Sequence, residues 1–538
     1  MSRFLFAVLL FTAPFASAVE CAPKGITEIT VKRAEGGALA TYRFGKAIAC
    51  LKLGDRGDVR KLTWQVQTAG ATLSEDGNVV QFAAPRKDFS VLLRAFERDG
   101  MMDRVYSPVI AFGDGSAVAV YTSYLRPETL EQGIFLSFNG FAPTAPARKV
   151  GPQRIGNEQT YIILGQPTLE RRGKVVAAID KAMPAWLRRN VVNSIAQGEV
   201  ALRSITPSPR PLAWFITYTD PDGAHANWRG DTLDKLVRLN FMGAPWQQDM
   251  PDMKASVDQF ILHEMFHTVG APALDTSLPG AMTLGEGGAE AGGMAMRRRF
   301  AAGAGPGMAA DIDNAIARCQ KISGKTLAEK EQKSQHNTPY VCGMALQFMV
   351  AAAARQDPLD IWQSLLRKAK PLSAGWPQLL AAAAEKDDAN RAALAVLDDM
   401  TSSKTDWDSG IARLVDAKLL RRLSSEELAA PLHGPLHAKE AIFHMLTQYC
   451  SQRHGFNTRR PVYPLDAPAG SCGIVPDQFR LLSMNGLRLD GDAYRAHQEL
   501  TRRCVEGLPV ILTDDQGTSI ELACKKPPKD IVIHTLLP

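Results

Sequence analysis

No C-x-x-C pair occurs in the 538 residues, no Lys/Arg block stands behind the net charge of +6, and beyond the N-terminus no apolar run reaches membrane-spanning length. Each absence excludes something. Without closely paired thiols, a cysteine-based metal site or a thiol redox motif is disfavoured. Without a dense basic block, the small positive excess argues neither for nor against nucleic acid, and no nucleic-acid partner is expected. The late apolar run at 343–354 falls short of the roughly 20 residues a span requires, so no stable membrane span is expected. Internal repeats are missing too. Histidine is scarce, with ten in the chain, so two of them at a useful spacing carry weight. What is present is 45% hydrophobic and 22% charged residues, the composition of a folded soluble protein. The length favours about three domains.

The N-terminus has the three parts of a secretory signal. Arg3 supplies a positive charge, Phe4 to Phe15 is apolar, and Ala16-Ser17-Ala18 is an A-x-A cleavage site. Residues 1–18 are therefore expected to be removed after Ala18. Glu20 rather than a small residue precedes Cys21, so a lipid anchor there is not expected. All eight cysteines lie after that point, and an even count behind a signal peptide implies disulfides and a periplasmic or secreted protein. Eight cysteines allow about a hundred connectivities. Pairing of sequence neighbours is the expectation: Cys21 with Cys50, Cys319 with Cys342, Cys450 with Cys472, and Cys504 with Cys524.

Three segments differ in pattern. Between Ile26 and Leu164, strand-like stretches such as EITVKRA, VVQFAA and AVAVYTSYL alternate with the turn signals GDRGD, EDGN and FGDGS. This predicts an N-terminal β domain over 19–165, sandwich-like. From Lys174, KVVAAIDKAMPAWLRRNVVNSIAQ has a helical pattern interrupted at Pro184, and PLAWFITYTD and KLVRLNF read as strands. Helices then dominate from Pro251 to about Ala430, many of them rich in Ala and Leu. The segment APLHGPLH at 430–437 breaks the pattern and is taken as a linker. The segment 431–538 holds four cysteines, several short strands and one helix. The fold class expected is α+β multidomain, with parts 19–165, 166–430 and 431–538.

The chemistry centres on HEMFH. His263 and His267 stand four apart in DMKASVDQFILHEMFHTVG, a segment with Pro251 and Asp252 at its start and Gly270 as its stop, so a helix would present both imidazoles on one face. H-E-x-x-H on a helix binds zinc through its histidines, and Glu264 is placed to act as general base toward water. His433 and His437 share the spacing but lack the glutamate, and Pro435 lies between them; no helix is expected to present both rings. A zinc site needs a third protein ligand. Eighteen residues after His267 comes Glu286, in GEGGAE. Two readings are open: a Gly-rich loop with a solvent-facing carboxylate, or a second helix whose glycines let it approach the first. The neighbouring H-E-x-x-H favours the second.

H-E-x-x-H, eighteen residues, then E-G-x-A-E resembles the gluzincin metallopeptidases. The spacing is similar to the membrane-alanyl-aminopeptidase branch, and the domain order to the glycyl-aminopeptidase branch. The resemblance implies a thermolysin-like, mostly helical middle domain. It also implies one zinc per chain held by His263, His267 and Glu286, with Glu264 as base and Glu290 orienting a ligand histidine. Such aminopeptidases carry P-Y-x-x-G, whose tyrosine stabilises the oxyanion. Here it is Pro339-Tyr340-Val341-Cys342-Gly343, with Cys342 where a lysine is usual. A Cys319–Cys342 bond would brace that helix start. Their G-x-M-E-N strand, whose glutamate holds a free amine, corresponds to LVRLNFMGAPW, which has none. Arg238 and Asn240 there are candidates for lining a substrate cleft from an edge strand. The last segment resembles a small α/β PDZ-like module, with a strand, an N-G turn, a helix and closing strands but no G-L-G-F loop.

The expected activity is zinc-dependent hydrolysis of a peptide or protein substrate, with exo- and endopeptidase modes both open. The rival expectation is an inactive peptidase-like scaffold or peptide-binding protein.

Overall fold

The computed structural model describes residues 21, 27–54, 56–95, 106–128, 134–142, 151–156, 159–172, 175–206, 213–223, 226–233, 236–300, 305–335, 337–368, 370–451, 455–456, 462–466, 470–476, 479–528 and 531–537. The expected signal segment and its cleavage site lie outside these residues. The chain divides into two compact units, one of 1–196 with 210–255 and the other of 197–209 with 256–538.

The first unit opens with ten strands: β1 (Thr27–Ala34), β2 (Gly37–Lys52), β3 (Trp64–Val66), β4 (Ala71–Leu73), β5 (Val79–Arg94), β6 (Val109–Ala111), β7 (Ala117–Tyr121), β8 (Ile134–Phe141), β9 (Gly151–Ile155) and β10 (Tyr161–Gly165). They form one sheet in the order β3-β5-β2-β1-β8-β10-β7-β6, with β4 on β5 and β9 on β8. The expected sandwich is corrected: these strands belong to a single curled sheet. The reason lies in β2 and β5, sixteen residues each, whose pairing shifts register between Arg43 and Cys50. Irregular pairing of this kind bends a strand and increases its twist. The inner face then fills its own core, with Ile29, Val31, Tyr42, Leu136 and Ile162 in one cluster. The short helix α1 (Gly57–Thr63) carries Arg60, buried but hydrogen-bonded to the carbonyls of Gly54 and Tyr124.

A second sheet holds β11 (Thr168–Arg172), β12 (Val175–Ile179), β13 (Ala213–Thr219), β14 (Asn227–Leu233) and β15 (Leu236–Met242), ordered β11-β12-β13-β15-β14. Strand β10 is buried on both faces: Ile162 and Leu164 join the first core, while Tyr161 and Ile163 pack with Val176, Ala178, Phe215 and Leu236 of this sheet. Two expectations fail here. VVAAI is β12, not helix; it lies between β11 and β13, and α2 (Ala185–Ile205) begins only after Pro184. Nor is β15 an edge strand: the edge is β14, NWRGDTL, a partly exposed polar strand without an apolar pattern.

The second unit is mainly helical. It contains most of α3 (Pro251–Gly270), then α4 (Ala281–Phe300), α5 (Gly305–Lys321), α6 (Leu327–Lys333), α7 (Thr338–Ala354), α8 (Pro358–Lys368), α9 (Trp376–Ala383), α10 (Arg391–Thr401) and α11 (Trp407–Asp416). After β16 (Leu420–Arg422) come α12 (Ser425–Ala429), α13 (Gly434–Tyr449), β17 (Gly455–Phe456), β18 (Tyr463–Asp466), β19 (Arg480–Met484), β20 (Leu487–Arg488), α14 (Ala493–Glu506), β21 (Val510–Asp514), β22 (Ser519–Leu522) and β23 (His534–Leu536). The expected N-G turn joins β19 to β20, with Asn485 and Gly486 both at positive φ, as a tight two-residue hairpin requires. All four cysteine pairs join sequence neighbours as expected. No helix among the described residues is long and apolar enough to cross a membrane.

The chain after Cys524 runs back over the helices. Ile531 and Ile533 pack with Ala317 of α5 and with Leu423, Leu428 and Leu436. Strand β23 pairs with β16, and Leu536 reaches a cluster with Ala291 and Met294 of α4 and with Met344 and Phe348 of α7.

The APLHGPLH linker is also corrected. Pro431–His433 is a 3₁₀ turn and α13 starts at Gly434, with Pro435 in its first turn, where the missing N–H costs nothing. Both imidazoles are buried. His437, 1% exposed, lies against Tyr494 and His497 of α14, and His433 Nε2 is 4.0 Å from Asp313 Oδ2. Burial, then His497, His433 and Lys321, press His437 down to about 3; burial and Lys321 press His497 down to about 4. Burial raises Asp313 to about 6, which acts in the opposite sense. A histidine depressed in the folded state is protonated first in the unfolded chain. Its stability is therefore full above about 6.5 and is lost as pH falls toward the folded value. Between pH 7 and pH 5, the native protein should lose about 2 kcal/mol more stability than His437→Phe. Urea denaturation at the two pH values measures the difference, and an identical pH response in the variant contradicts the assignment.

Candidate metal centre

Helix α3 starts at Pro251 and ends at Gly270, the bounds its sequence signals predict. His263 and Glu264 are buried on it, and His267 is half-buried one turn on. Breaks at Pro272, Pro279 and Gly280, the last at positive φ, turn the chain into α4. Helix α4 carries Glu286 and Glu290, so of the two readings of GEGGAE the helix is correct.

Glycine weakens a free helix by about 1 kcal/mol per residue relative to alanine. Here the bare backbone is used for contact. A Cβ on Gly287 would meet the backbone of Gly343 in α7, one on Gly288 the ring of Trp362 in α8, and one on Gly292 the ring of Phe266 in α3. At Gly293 it would come within 2.9 Å of the His263 amide nitrogen. The glycines thus bring α4 against α3, α7 and α8.

Three side chains converge as a result. His263 Nε2 and His267 Nε2 are 3.1 Å apart, and Glu286 Oε2 lies 3.3 Å from the first and 3.2 Å from the second. A tetrahedral zinc site with bonds of about 2.0–2.1 Å has ligand–ligand edges of about 3.3 Å. The donor set and its spacing fit zinc. Behind it, Glu290 Oε1 is 3.4 Å from His263 Nδ1. Gln259, one turn before His263, donates to the Glu290 carboxylate at 3.1 Å and to its carbonyl at 3.0 Å. Sequence reasoning missed Gln259; its place four residues ahead of His263 was the available signal.

Tyr340 is in the first turn of α7, 40% exposed, with its ring 5.8 Å from that of His263 and 17° from parallel. The Cys319–Cys342 disulfide ties this helix start to α5. Burial, then the charges of Glu286 and Glu264, raise the Tyr340 hydroxyl far above its usual value and keep it a donor. Burial disfavours protonation of His263, but the charge of Glu290 and hydrogen bonds to Glu286 and Glu290 outweigh this and push it well above the ordinary imidazole value. Burial raises both carboxyls, yet hydrogen bonds from His263 and His267 hold Glu286 below its usual range, and the His263 charge does the same for Glu290.

Arg238 and Asn240 lie in the other unit, on the internal strand β15. Arg238 is buried and paired with Asp231 at 2.7 Å; Asn240 is bonded to Thr217 at 2.8 Å and Thr219 at 3.0 Å. Elsewhere His444 lies close to the sulfurs of Cys504 and Cys524, but those sulfurs are joined to each other and offer no thiolate.

An H-E-x-x-H helix is thus held against a glutamate-bearing helix, in an α+β chain that begins with a curled sheet. The chain shares its fold with an aminopeptidase N family protein from Idiomarina loihiensis, with a TM-score of 0.55, 12% identity, and coverage of 95% of this chain and 98% of that one. Fainter likenesses are to yeast LTA4 hydrolase in complex with bestatin (TM-score 0.36, 11% identity, 65% of this chain and 62% of that) and to an M1 zinc metallopeptidase from Deinococcus radiodurans bound to a Tyr-Ser-Ala substrate (0.39, 12%, 71% and 93%). No family model and no curated protein matches the sequence.

The glycine contacts give a direct test. Gly287→Ala gains about 1 kcal/mol of helix propensity but sets a methyl against the α7 backbone, an overpacking that costs about 1–3 kcal/mol or more. The variant should be less stable in thermal denaturation and bind zinc more weakly in competition with a chromophoric chelator. Gly307→Ala in α5, where nothing lies within 4 Å of the added carbon, should lose neither.

Proposed function

We propose that the chain is a zinc metallopeptidase of the periplasm or extracellular space. The observation that carries this reading is the convergence of His263 Nε2, His267 Nε2 and Glu286 Oε2 at 3.1–3.3 Å, with the Tyr340 ring 5.8 Å from that of His263. Four disulfides fit an oxidising compartment.

His263, His267 and Glu286 would hold one zinc. Zinc in such a site supplies a Lewis acid that brings the pKa of water to about 7. Glu290, 3.4 Å from His263 Nδ1, would accept a hydrogen bond from its N–H, which fixes the ring tautomer and leaves Nε2 free as a ligand atom; Gln259 holds Glu290 in place. Glu264, buried beside His263, takes a proton from the attacking water and returns it to the leaving amine. Tyr340 donates its hydroxyl to the oxyanion that forms at the scissile carbonyl. The substrate is a peptide or protein. Strand β15 has no carboxylate in its sequence, and both exo- and endopeptidase modes stay open.

Metal analysis of the purified chain should find about one zinc per molecule; none at neutral pH rules the reading out. Glu264→Gln should abolish chelator-sensitive peptide cleavage while retaining zinc, and unchanged cleavage would mean that the base is another group. Tyr340→Phe should lower kcat by roughly 10²–10³ with little change in KM. Steady-state kinetics on a peptide found by library digestion separates the two parameters.

A further inference from the structure

Besides the metal centre, the described residues hold one other cluster of three metal-ligating side chains: His444, Cys504 and Cys524. One ring nitrogen of His444 and the two sulfurs all lie within 4.8 Å of one another. The carbonyl oxygen of Lys526 is 2.8 Å from His444 Nε2 and 3.0 Å from Cys524 Sγ. Two sulfurs, a nitrogen and an oxygen thus gather at one place. They come from three stretches of chain: α13, the last turn of α14, and the segment after β22. Cys504 is buried, while His444 and Cys524 are half-buried, so solvent reaches the cluster.

Bonds other than the disulfide also hold these donors. Cys504 belongs to a core that α13 and α14 share through Ala441, Met445, Ala496 and Leu500. The segment of Cys524 is fastened to α13: the Lys525 amide donates to Gln448 Oε1 at 2.7 Å, the Lys525 ammonium to the Gln448 carbonyl at 2.8 Å, and the Tyr449 hydroxyl to the Ala523 carbonyl. Donors held by their surroundings are ready for a metal once the sulfurs are free. Cleaving the Cys504–Cys524 bond takes two electrons and two protons, which a dithiol supplies as it closes to its own disulfide. The two thiols then lose their protons to solvent as they bind the metal. Thiolates with an imidazole, in a tetrahedral set, suit zinc. The other three disulfides have no third metal-ligating side chain at this distance among the described residues.

We propose that Cys504, Cys524 and His444 bind a zinc ion when a dithiol reduces the Cys504–Cys524 bond, with the Lys526 carbonyl as fourth donor. Exchange with a disulfide re-forms the bond and releases the zinc, so the site opens and shuts with the redox state around it. It shares no residue with His263, His267 and Glu286, and it stands whether or not the chain cleaves peptides.

Zinc analysis of the full chain in its two redox states tests the proposal. A phosphine gives the same two thiols and is removed by gel filtration under nitrogen. The His263→Ala background takes away a ligand of the other metal centre, so that zinc gained on reduction is counted by itself. The reduced chain should hold about one zinc more than the oxidised chain. Cobalt(II) in its place should give the near-ultraviolet sulfur-to-cobalt absorption of a thiolate site. His444→Ala, which keeps the disulfide during folding, should after reduction bind zinc at least about tenfold more weakly. Cys504→Ser with Cys524→Ser should abolish the gain, and Cys450→Ser with Cys472→Ser should keep it. Equal zinc in both redox states, a gain that follows Cys450 and Cys472 instead, or unchanged affinity in His444→Ala would overturn it.

Discussion

The spacing between helix backbones at the glycines of α4 is the constraint on which the metal centre rests. A glutamate ligand reaching from a neighbouring helix completes a tetrahedral set only if the two helices nearly touch. Gly292 and Gly293 allow that touch against Phe266 and the His263 amide, and Gly287 allows the same against Gly343, which brings Tyr340 over His263. The helix propensity given up is offset by ring and backbone contacts that a side chain would block. This explains why a segment so poor in helix formers is nonetheless a twenty-residue helix.

Charge is the second determinant of the centre. Glu264, Glu286 and Glu290 gather around two imidazoles in a largely buried place. Buried carboxylates of this density are stable only when paired. His263 faces Glu286 with one nitrogen and Glu290 with the other, so it links the ligand to the group behind it. In the metal-free site the raised His263 carries part of the balancing positive charge; with both imidazoles neutral, as metal ligands require, the negative charge is in excess, a balance suited to a divalent cation.

Much of this was legible in the sequence because the signals are local. The bounds of α3 follow from Pro251 and Gly270, the i,i+4 histidines follow from helical period, and Glu286 and Tyr340 follow from motif spacing. Cysteine pairing followed sequence proximity in every case. The missed features depend on partners distant in the chain. VVAAI has the same apolar run whether it is a buried helix or, as found, a strand between two others. NWRGDTL has no pattern because it is an edge, and its place put Arg238 and Asn240 inside the sheet. The register shifts in β2 and β5 that turn the expected sandwich into one curled sheet are a matter of pairing, not composition. Pro435 suggested a break because a proline in a first helical turn and a proline in a linker are the same letter.

The return of the chain from Cys524 to Leu536 has a consequence for the order of assembly. Met294, Met344 and Phe348, on the helices of Glu290 and Tyr340, share a core with a residue from the last stretch of the sequence. Until β23 docks on β16, that apolar surface stays open to water and to other chains. Contacts of such long sequence separation form late and slow the search for the native state. A chain emerging N-terminus first thus carries this apolar surface from the time its helices form until β23 follows.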